Sequence, residues 1–274
     1  MDFQLVLDVA QLTDPGKARA RNEDAISSLP RLGALILADG MGGHNAGEVA
    51  SGMTTNYLAQ ELEKALVATP LSEIPDDLAS EKALALLRQL IADVNQSVFT
   101  AASSQPQYQG MGTTLVVALF YDNRVMVAHI GDSRLYRLRD GALAQLTKDH
   151  SLLQEWIDNG MITQEQAATA QHKNLVTRAL GVEATVEPEI REYDALPGDL
   201  FLLCSDGLYD MVPDEETEMT LAALSSNLSL AAQQLVDQAN DAGGRDNISV
   251  ILVKVKGPFP APRGWWQKFL AWLK

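Results

Sequence analysis

The sequence has a single cysteine and no long apolar run, and both absences exclude classes of protein. Cys204 alone cannot form an internal disulfide bond or a Cys/His zinc cluster. Residue 210, where a cysteine phosphatase would need an arginine after Cys204, is aspartate. No apolar run approaches the roughly 20 residues of a membrane span, and the first residues lack the order of a signal peptide. A cytoplasmic protein is therefore expected.

Basic residues are scarce relative to acidic ones. Lysine and arginine total 21 against 36 aspartates and glutamates, which leaves a formal net charge of −15. A field of this sign repels phosphate backbones, so nucleic acid is not expected as a partner. Hydrophobic residues make up 46% of the chain and charged residues 21%, which is ordinary for a folded globular protein.

The apolar residues follow two periodicities, one typical of strands and one typical of helices. Short apolar segments are separated by turn signals such as Asp122-Asn123 and Asp140-Gly141, whereas longer segments repeat at helical spacing. Strands in runs with hairpin-length turns favour antiparallel sheets covered by helices over alternating βαβ units. The predicted strands lie within residues 3–9, 34–38, 113–146, 187–203 and 247–255, and the predicted helices lie within 46–62, 78–100 and 213–242.

Acidic residues stand where several predicted strands end. An aspartate beside a glycine is most often only a turn, and Asp140-Gly141 is interpreted that way. Asp39 and Asp206, however, each follow a buried apolar strand. Carboxylates that converge from several strand ends repel one another unless cations lie between them, and oxygen ligands select hard ions such as Mg²⁺ or Mn²⁺. The candidate sites are Glu23-Asp24, Asp39-Gly40, Gly131-Asp132, Asp206-Gly207 and Asp246-Asn247.

The glycine-rich segment at residues 39–48 is the densest signal. Its glycines let a backbone group approach a ligand closely. It is not a Walker phosphate loop, because Gly47 is followed by Glu48-Val49 rather than by lysine and a hydroxyl residue. His44 in this segment has two interpretations: a cap or surface residue, or, beside metal-binding carboxylates, a general acid.

Six segments of the chain occur in an order that is far more specific than any one of them. They are Arg19-Ala20-Arg21-Asn22-Glu23-Asp24, Asp39-Gly40-Met41-Gly42-Gly43-His44, Gly110-Met111-Gly112-Thr113-Thr114, Gly131-Asp132-Ser133-Arg134, Cys204-Ser205-Asp206-Gly207 and Gly244-Arg245-Asp246-Asn247. Together they resemble the bacterial members of the PPM (PP2C-like) family of metal-dependent serine/threonine protein phosphatases. The resemblance runs from about residue 3 to residue 255.

The resemblance implies an α+β fold, a four-layer α-β-β-α sandwich of two antiparallel sheets flanked by helix pairs, with a flap at about residues 150–182. It implies two tightly bound Mn²⁺ or Mg²⁺ ions, a third, weaker ion, and a metal-bridged hydroxide that attacks phosphorus in line. By the family pattern, Asp39 bridges both tight ions, Asp206 and Asp246 complete one site, Glu23 and the carbonyl of Gly40 serve the other, Asp24 lies just behind them, and Asp132 with Asp206 holds the third ion.

Two residues are expected to act on the substrate. Arg19 matches the arginine that binds the substrate phosphate in the family. His44 is expected to protonate the departing serine or threonine oxygen. In many eukaryotic members the histidine directly follows the Asp-Gly pair, whereas here Met41-Gly42-Gly43 intervenes.

The sequence therefore predicts a phosphoserine/phosphothreonine protein phosphatase whose partners are phosphorylated proteins, the substrates of a bacterial Ser/Thr kinase. Two alternatives stay open. One is a noncatalytic regulator that keeps the fold and binds a phosphoprotein; the presence of Asp39, Asp206 and Asp246 argues against it. The other is an anti-anti-sigma-factor phosphatase, which differs only in its substrate.

Residues 257–274 differ in composition from the predicted catalytic domain at 1–256. A proline-rich spacer at 258–262 is expected to hold the tail away from the last strand. Residues 264–274 place tryptophans, Phe269 and leucines at helical spacing, with Lys268 and Lys274 opposite. This pattern predicts an amphipathic helix for the surface of the inner membrane or for a partner, and packing against its own domain is the alternative.

Overall fold

Two antiparallel sheets lie at the centre of the computed structural model, which describes residues 2–43, 46–71, 74, 76–163, 166 and 175–261, with the main chain alone at 76 and 77. The strands are β1 (Leu7–Asp14), β2 (Asp24–Leu29), β3 (Ala34–Met41), β4 (Gly112–Thr113), β5 (Leu115–Tyr121), β6 (Arg124–Ile130), β7 (Arg134–Arg139), β8 (Ala142–Gln145), β9 (Glu189–Asp194), β10 (Leu200–Cys204) and β11 (Ile248–Val255). One sheet is five-stranded with the order β1-β11-β10-β7-β8, and the other is six-stranded with the order β2-β3-β5-β6-β9 and β4 paired to β3.

Helices cover the outer face of each sheet. The described helices are α1 (Ala46–Ala68), α2 (Asp76–Ser104), α3 (Leu152–Asp158), α4 (Asp206–Tyr209), α5 (Asp214–Leu224) and α6 (Leu228–Asp241), with 3-10 turns at Phe3–Leu5 and Pro106–Tyr108. α1 and α2 pack on the six-stranded sheet, and α5 and α6 pack on the five-stranded sheet. The predicted four-layer α+β sandwich is confirmed. In the described part of the chain, no helix combines the length and hydropathy needed to cross a bilayer.

The central strands are apolar throughout because both of their faces are buried. On β3, Leu35 and Leu37 point between the sheets, whereas Ile36 points toward α1 and α2. On β10, Phe201 points between the sheets and Leu202 points toward α5 and α6. This explains why the sequence shows continuous apolar runs here instead of alternation.

The amino-terminal segment differs from the strand predicted at residues 3–9. Phe3–Leu5 is a 3-10 turn with Asp2 as its N-cap. The Asp2 carboxylate accepts a hydrogen bond from the Gln4 N–H at 3.1 Å. β1 starts only at Leu7 and continues to Asp14, because it pairs with β11 along its whole length. The predicted strand ended too early, at residue 9, because apolar and polar residues alternate in the second half of this edge strand.

The proline-rich segment lies against the domain instead of standing away from it. Phe259 is 1% exposed and packs edge-to-face with Phe3 and Phe120, at ring-centroid distances of 5.6 Å and 6.3 Å. Residues 258–261 of the predicted spacer therefore pack on the domain, and the prediction that the spacer holds the tail away from the last strand stays a prediction. Residues 262–274, and with them the predicted tail helix, lie outside the described residues.

The turn between β5 and β6 binds residues 259–261 by hydrogen bonds. Asp122 and Asn123 both adopt positive φ angles, 43° and 56°. In this turn the Asn123 Oδ1 atom accepts a hydrogen bond from the Phe259 N–H at 2.6 Å, and the Asp122 Oδ1 atom accepts one from the Ala261 N–H at 2.7 Å. The backbone of residues 259–261 is thus held by side chains of the domain.

Replacement of Phe259 by alanine should destabilise the domain, because it leaves a cavity between Phe3 and Phe120. We expect the free energy of unfolding to fall by about 3–5 kcal/mol, measured by urea denaturation. A chain that ends at Ala261 is the control: it keeps Phe259 and should unfold like the full chain. A chain that ends at Lys256 and is as stable as the full chain would contradict this role of Phe259.

Candidate active site

Five aspartates lie at one edge of the sandwich. Asp24 opens β2 and pairs with Asp39 on β3. Asp206 is the first residue of α4, directly after β10, and Asp246 lies just before β11. Asp132 lies in the short connection between β6 and β7. The structure thus brings together the aspartates that the sequence analysis assigned to a metal site.

The charges of these aspartates act on one another and shift their pKa values. Burial raises the pKa of Asp39 well above its ordinary value, and the charges of Asp24, Asp206, Asp132 and Asp246 raise it further. Burial also raises the pKa of Asp206 well above its ordinary value, with Asp132 and Asp246 adding to the shift. The pKa of Asp24 and that of Asp132 are each raised to about 6, chiefly by burial. The cluster cannot carry all of its negative charge unless cations lie among the carboxylates.

The donor set fits a hard divalent cation. All of the side-chain donors in the cluster are carboxylate oxygens, which Mg²⁺ and Mn²⁺ prefer over softer ligands. Asp24 uses its Oδ2 atom to accept a hydrogen bond from the Ser205 hydroxyl at 2.7 Å. Its Oδ1 atom is buried and has no hydrogen-bond partner among the described residues. A buried oxygen of this kind is costly in a protein unless a proton or a cation satisfies it.

Two glycines of the glycine-rich segment bring the start of α1 against the acidic edge. A Cβ atom on Gly40 would lie 2.2 Å from the carbonyl oxygen of Gly47, and one on Gly47 would lie 2.9 Å from the Glu23 carboxylate. The Gly40 N–H also donates a hydrogen bond to the Glu23 carbonyl at 3.1 Å. Glu23 and Gly40 are therefore held side by side. His44 lies outside the described residues.

Asn247 fixes the loop that carries Arg19 and Glu23. Its Oδ1 atom accepts a hydrogen bond from the Glu23 N–H at 2.7 Å, and its Nδ2 atom donates to the carbonyls of Pro15 at 2.9 Å and Arg21 at 2.8 Å. Asn247 is 4% exposed, so water does not compete for these bonds. In the sequence, Asn247 stands out only as the neighbour of Asp246. Its partners are more than 220 residues away in the chain, so no local pattern indicates its role.

Hydroxyl groups hold the main chain of Asp39. The Thr113 hydroxyl donates a hydrogen bond to the Asp39 carbonyl at 2.8 Å, and the Thr114 hydroxyl accepts one from the Asp39 N–H at 3.0 Å. The hydroxyls of Thr114 and Ser133 lie 2.7 Å apart. These bonds connect Asp39 to the segment beside Asp132.

Arg19 places a basic group beside Asp246 at this edge. Its Nη2 atom lies 2.6 Å from the Asp246 carboxylate, and its side chain is 54% exposed. The hydrogen bond to Asp246 raises the pKa of Arg19, so its charge is permanent. Arg21, the alternative phosphate-binding residue, is exposed and lies 3.8 Å from Glu48.

Cys204 is excluded as a nucleophile. It lies on β10 with no exposed surface, and burial raises the pKa of its thiol. Since the thiolate is the reactive form, this cysteine is inert. Its interpretation as a small buried strand residue is confirmed.

The chain matches the family model for protein phosphatase 2C over residues 17–240. It is 40% identical over 245 residues to the serine/threonine phosphatase Stp of Listeria monocytogenes, an alignment that covers 88% of this chain and 93% of that protein. It is 42% identical over 253 residues to the serine/threonine protein phosphatase PstP of Mycobacterium tuberculosis, which covers 92% of this chain and 45% of PstP.

Solved structures agree with the sequence comparison. A crystal structure of PstP has a TM-score of 0.81 to this chain at 39% identity and covers 92% of this chain and 99% of its own. A structure of the PstP catalytic domain in complex with two manganese ions has a TM-score of 0.78 at 39% identity and covers 91% of this chain and 98% of its own.

Proposed function

The chain belongs to the protein phosphatase 2C family and is a metal-dependent serine/threonine phosphatase, and we propose that it removes phosphate from phosphoserine and phosphothreonine in proteins at the carboxylate edge. The observation that carries this proposal is the convergence on Asp39 of four other aspartates, each of which raises its pKa. When bound there, two Mn²⁺ or Mg²⁺ ions would activate water and polarise the phosphate. The chain itself holds the metal ligands in position and supplies the arginine that binds phosphate.

Asp39 would be the ligand shared by the two tight ions, and the charges of the four other aspartates act on it. Asp206 and Asp246 would complete one site, and Glu23 with the carbonyl of Gly40 would serve the other. Asp24, held by Ser205, lies behind them. Asp132 and Asp206 form the third site, and among the neighbouring charges Asp132 is the one that most raises the pKa of Asp206.

Arg19 binds the phosphate of the substrate. Its planar guanidinium stands at the rim of the cluster and can meet two non-bridging phosphate oxygens at once. The contact with Asp246 orients the guanidinium toward the acidic edge. His44 is proposed to protonate the departing alcohol.

The substrates are phosphorylated proteins, and we propose that a Ser/Thr kinase of the same cell produces them. A noncatalytic regulator is not favoured, because Asp39, Asp206 and Asp246 are all in place at one edge. Nothing in the described residues favours an anti-anti-sigma-factor substrate. The catalytic domain is proposed to extend to Ala261, since Phe259 is part of its core.

Residues 262–274 are proposed to bind the surface of an anionic membrane. The segment carries Trp265, Trp266 and Trp272 together with Arg263, Lys268 and Lys274, in a protein of net charge −15. Aromatic residues with basic residues opposite them suit the interface of a bilayer that contains anionic lipids.

Asp39→Asn should abolish metal-dependent phosphate release from a phosphothreonine peptide. We expect a loss of more than about 100-fold, since even residues behind a metal ligand cost roughly 10–100-fold. The same substitution relieves repulsion in the cluster, so the melting temperature of the metal-free protein should not fall. Asp206→Asn should cause a similar loss of phosphate release, and a chelator should abolish the activity of the wild type. Asp140→Asn, in a surface turn, is the matched control and should keep full activity. Near wild-type turnover of Asp39→Asn at saturating Mn²⁺ would overturn the site.

Arg19→Ala should reduce kcat/KM for the phosphopeptide by about 10–100-fold, because a charge-assisted contact to phosphate contributes roughly 1.5–3 kcal/mol. Metal binding, measured by titration calorimetry, should change little. Arg21→Ala is the control for a nearby loss of charge and should remain close to wild type. A defect in Arg21→Ala with a normal Arg19→Ala enzyme would show that the phosphate-binding residue is Arg21.

The chain that ends at Ala261 should keep its peptide phosphatase activity and melting temperature but lose binding to vesicles of phosphatidylglycerol and phosphatidylethanolamine, measured by co-sedimentation. Vesicles of phosphatidylcholine alone are the control, and the full chain should bind them weakly because they lack negative charge. Equal binding of both chains to anionic vesicles would disprove the membrane role. A marked drop in melting temperature would show instead that the tail packs on its own domain.

A further inference from the structure

A tyrosine side chain connects the two segments that carry Asp132 and Asp206. Tyr209 is the last residue of α4, the helix that Asp206 opens. Its hydroxyl donates a hydrogen bond to the main-chain carbonyl of Asp132 at 3.0 Å. Asp132 itself lies between β6 of one sheet and β7 of the other, where the chain crosses the sandwich. One hydrogen bond thus connects the segment between β6 and β7 to α4.

The Tyr209 ring is held in place by a half-buried arginine. The guanidinium carbon of Arg134 lies 3.6 Å from the centre of the ring, a cation–π contact. Arg134 is in turn fixed by the Asp149 carboxylate, with N–O distances of 3.0, 3.1 and 2.7 Å, and by the Tyr136 hydroxyl at 2.9 Å. The side chains of Arg134 and Asp149 are 21% and 11% exposed. The direction of the Tyr209 hydroxyl is therefore determined by the packing around it.

We propose that Tyr209 is a positioning residue for the third metal site. Its hydroxyl holds the Asp132 turn against α4 and thereby sets the separation of the Asp132 and Asp206 carboxylates. Ligands of the two tight sites have supports other than this bond: Asp39 is fixed by Thr113 and Thr114, and Ser205, which precedes Asp206, is fixed by two hydrogen bonds with Ser249. Glu23 is fixed by Asn247. The role of Tyr209 rests on the proposed third ion.

The substitution that isolates the hydroxyl is Tyr209→Phe, which keeps the ring beneath Arg134. Mn²⁺ titrated into chelator-treated full-length protein should show two tight ions with unchanged affinity and a third ion bound about tenfold more weakly, a change of about 1.4 kcal/mol. The Mn²⁺ concentration that gives half-maximal phosphate release should rise in parallel. Asp132→Ala supplies the reference curve in which the third ion is lost.

Tyr136→Phe is the matched control. It removes a hydroxyl that accepts a hydrogen bond from Arg134 and donates one to Asp214 at 3.1 Å rather than to Asp132. Arg134 stays in contact with the Tyr209 ring in this variant, because the Asp149 carboxylate still holds its guanidinium. The control should bind the third ion like the wild type. Melting temperatures of both variants report whether the fold is intact.

The outcomes separate this proposal from the proposed function. Three ions in the wild type with an unchanged third affinity in Tyr209→Phe would overturn the role of Tyr209 alone. Equal weakening of all three ions in Tyr209→Phe, or an equal effect of Tyr136→Phe, would show that the tyrosine supports the helix in general and would also overturn it. Only two ions in the wild type would overturn the third site, and with it this inference, while leaving the phosphatase assignment in place.

Discussion

Repulsion among carboxylates that the fold forces together is the constraint on which the rest of this structure depends. Asp39 and Asp206 are half-buried beside other aspartates, whose charges add to the burial that raises the pKa of both groups. Such an arrangement persists only if the surrounding structure is rigid enough to resist the repulsion. Divalent cations convert this unfavourable charge density into binding energy, so the strain of the cluster and its affinity for metal have the same origin.

Around Asp39, Asp24 and Glu23, rigidity comes from neutral hydrogen-bonding groups rather than from opposite charges. Thr113 and Thr114 hold the main chain of Asp39, Ser205 holds Asp24, and Asn247 holds the loop before Glu23. Hydroxyl and amide groups fix geometry without neutralising the carboxylates, which leaves the charge available to a cation. Arg19 is the exception at the rim, and its exposure suits a group that must meet a substrate.

The sequence was sufficient for the parts of the site that are local. Asp39 and Asp206 each follow an apolar strand, so their convergence could be predicted from the strand ends alone. Partners that are distant in sequence could not be predicted: Asn247 meets Pro15 and Arg21, and nothing local indicates this. Phe259 was misjudged because the prolines around it suggested a stiff spacer, whereas tertiary packing against Phe3 decided its place.

The anchoring of residues 259–261 also bears on how a bound tail would orient the domain. The chain leaves the described structure beside the Asp122-Asn123 turn, where β5 ends, whereas β5 begins next to Thr114 and Asp39 at the acidic edge. A strand rises by about 3.3 Å per residue, so the two ends of β5 are on the order of 20 Å apart. If residues 262–274 bind an anionic membrane as proposed, the turn end of the domain would lie nearest to that membrane. The acidic edge would then face away from it, where phosphorylated proteins could reach Arg19 without competition from anionic lipid.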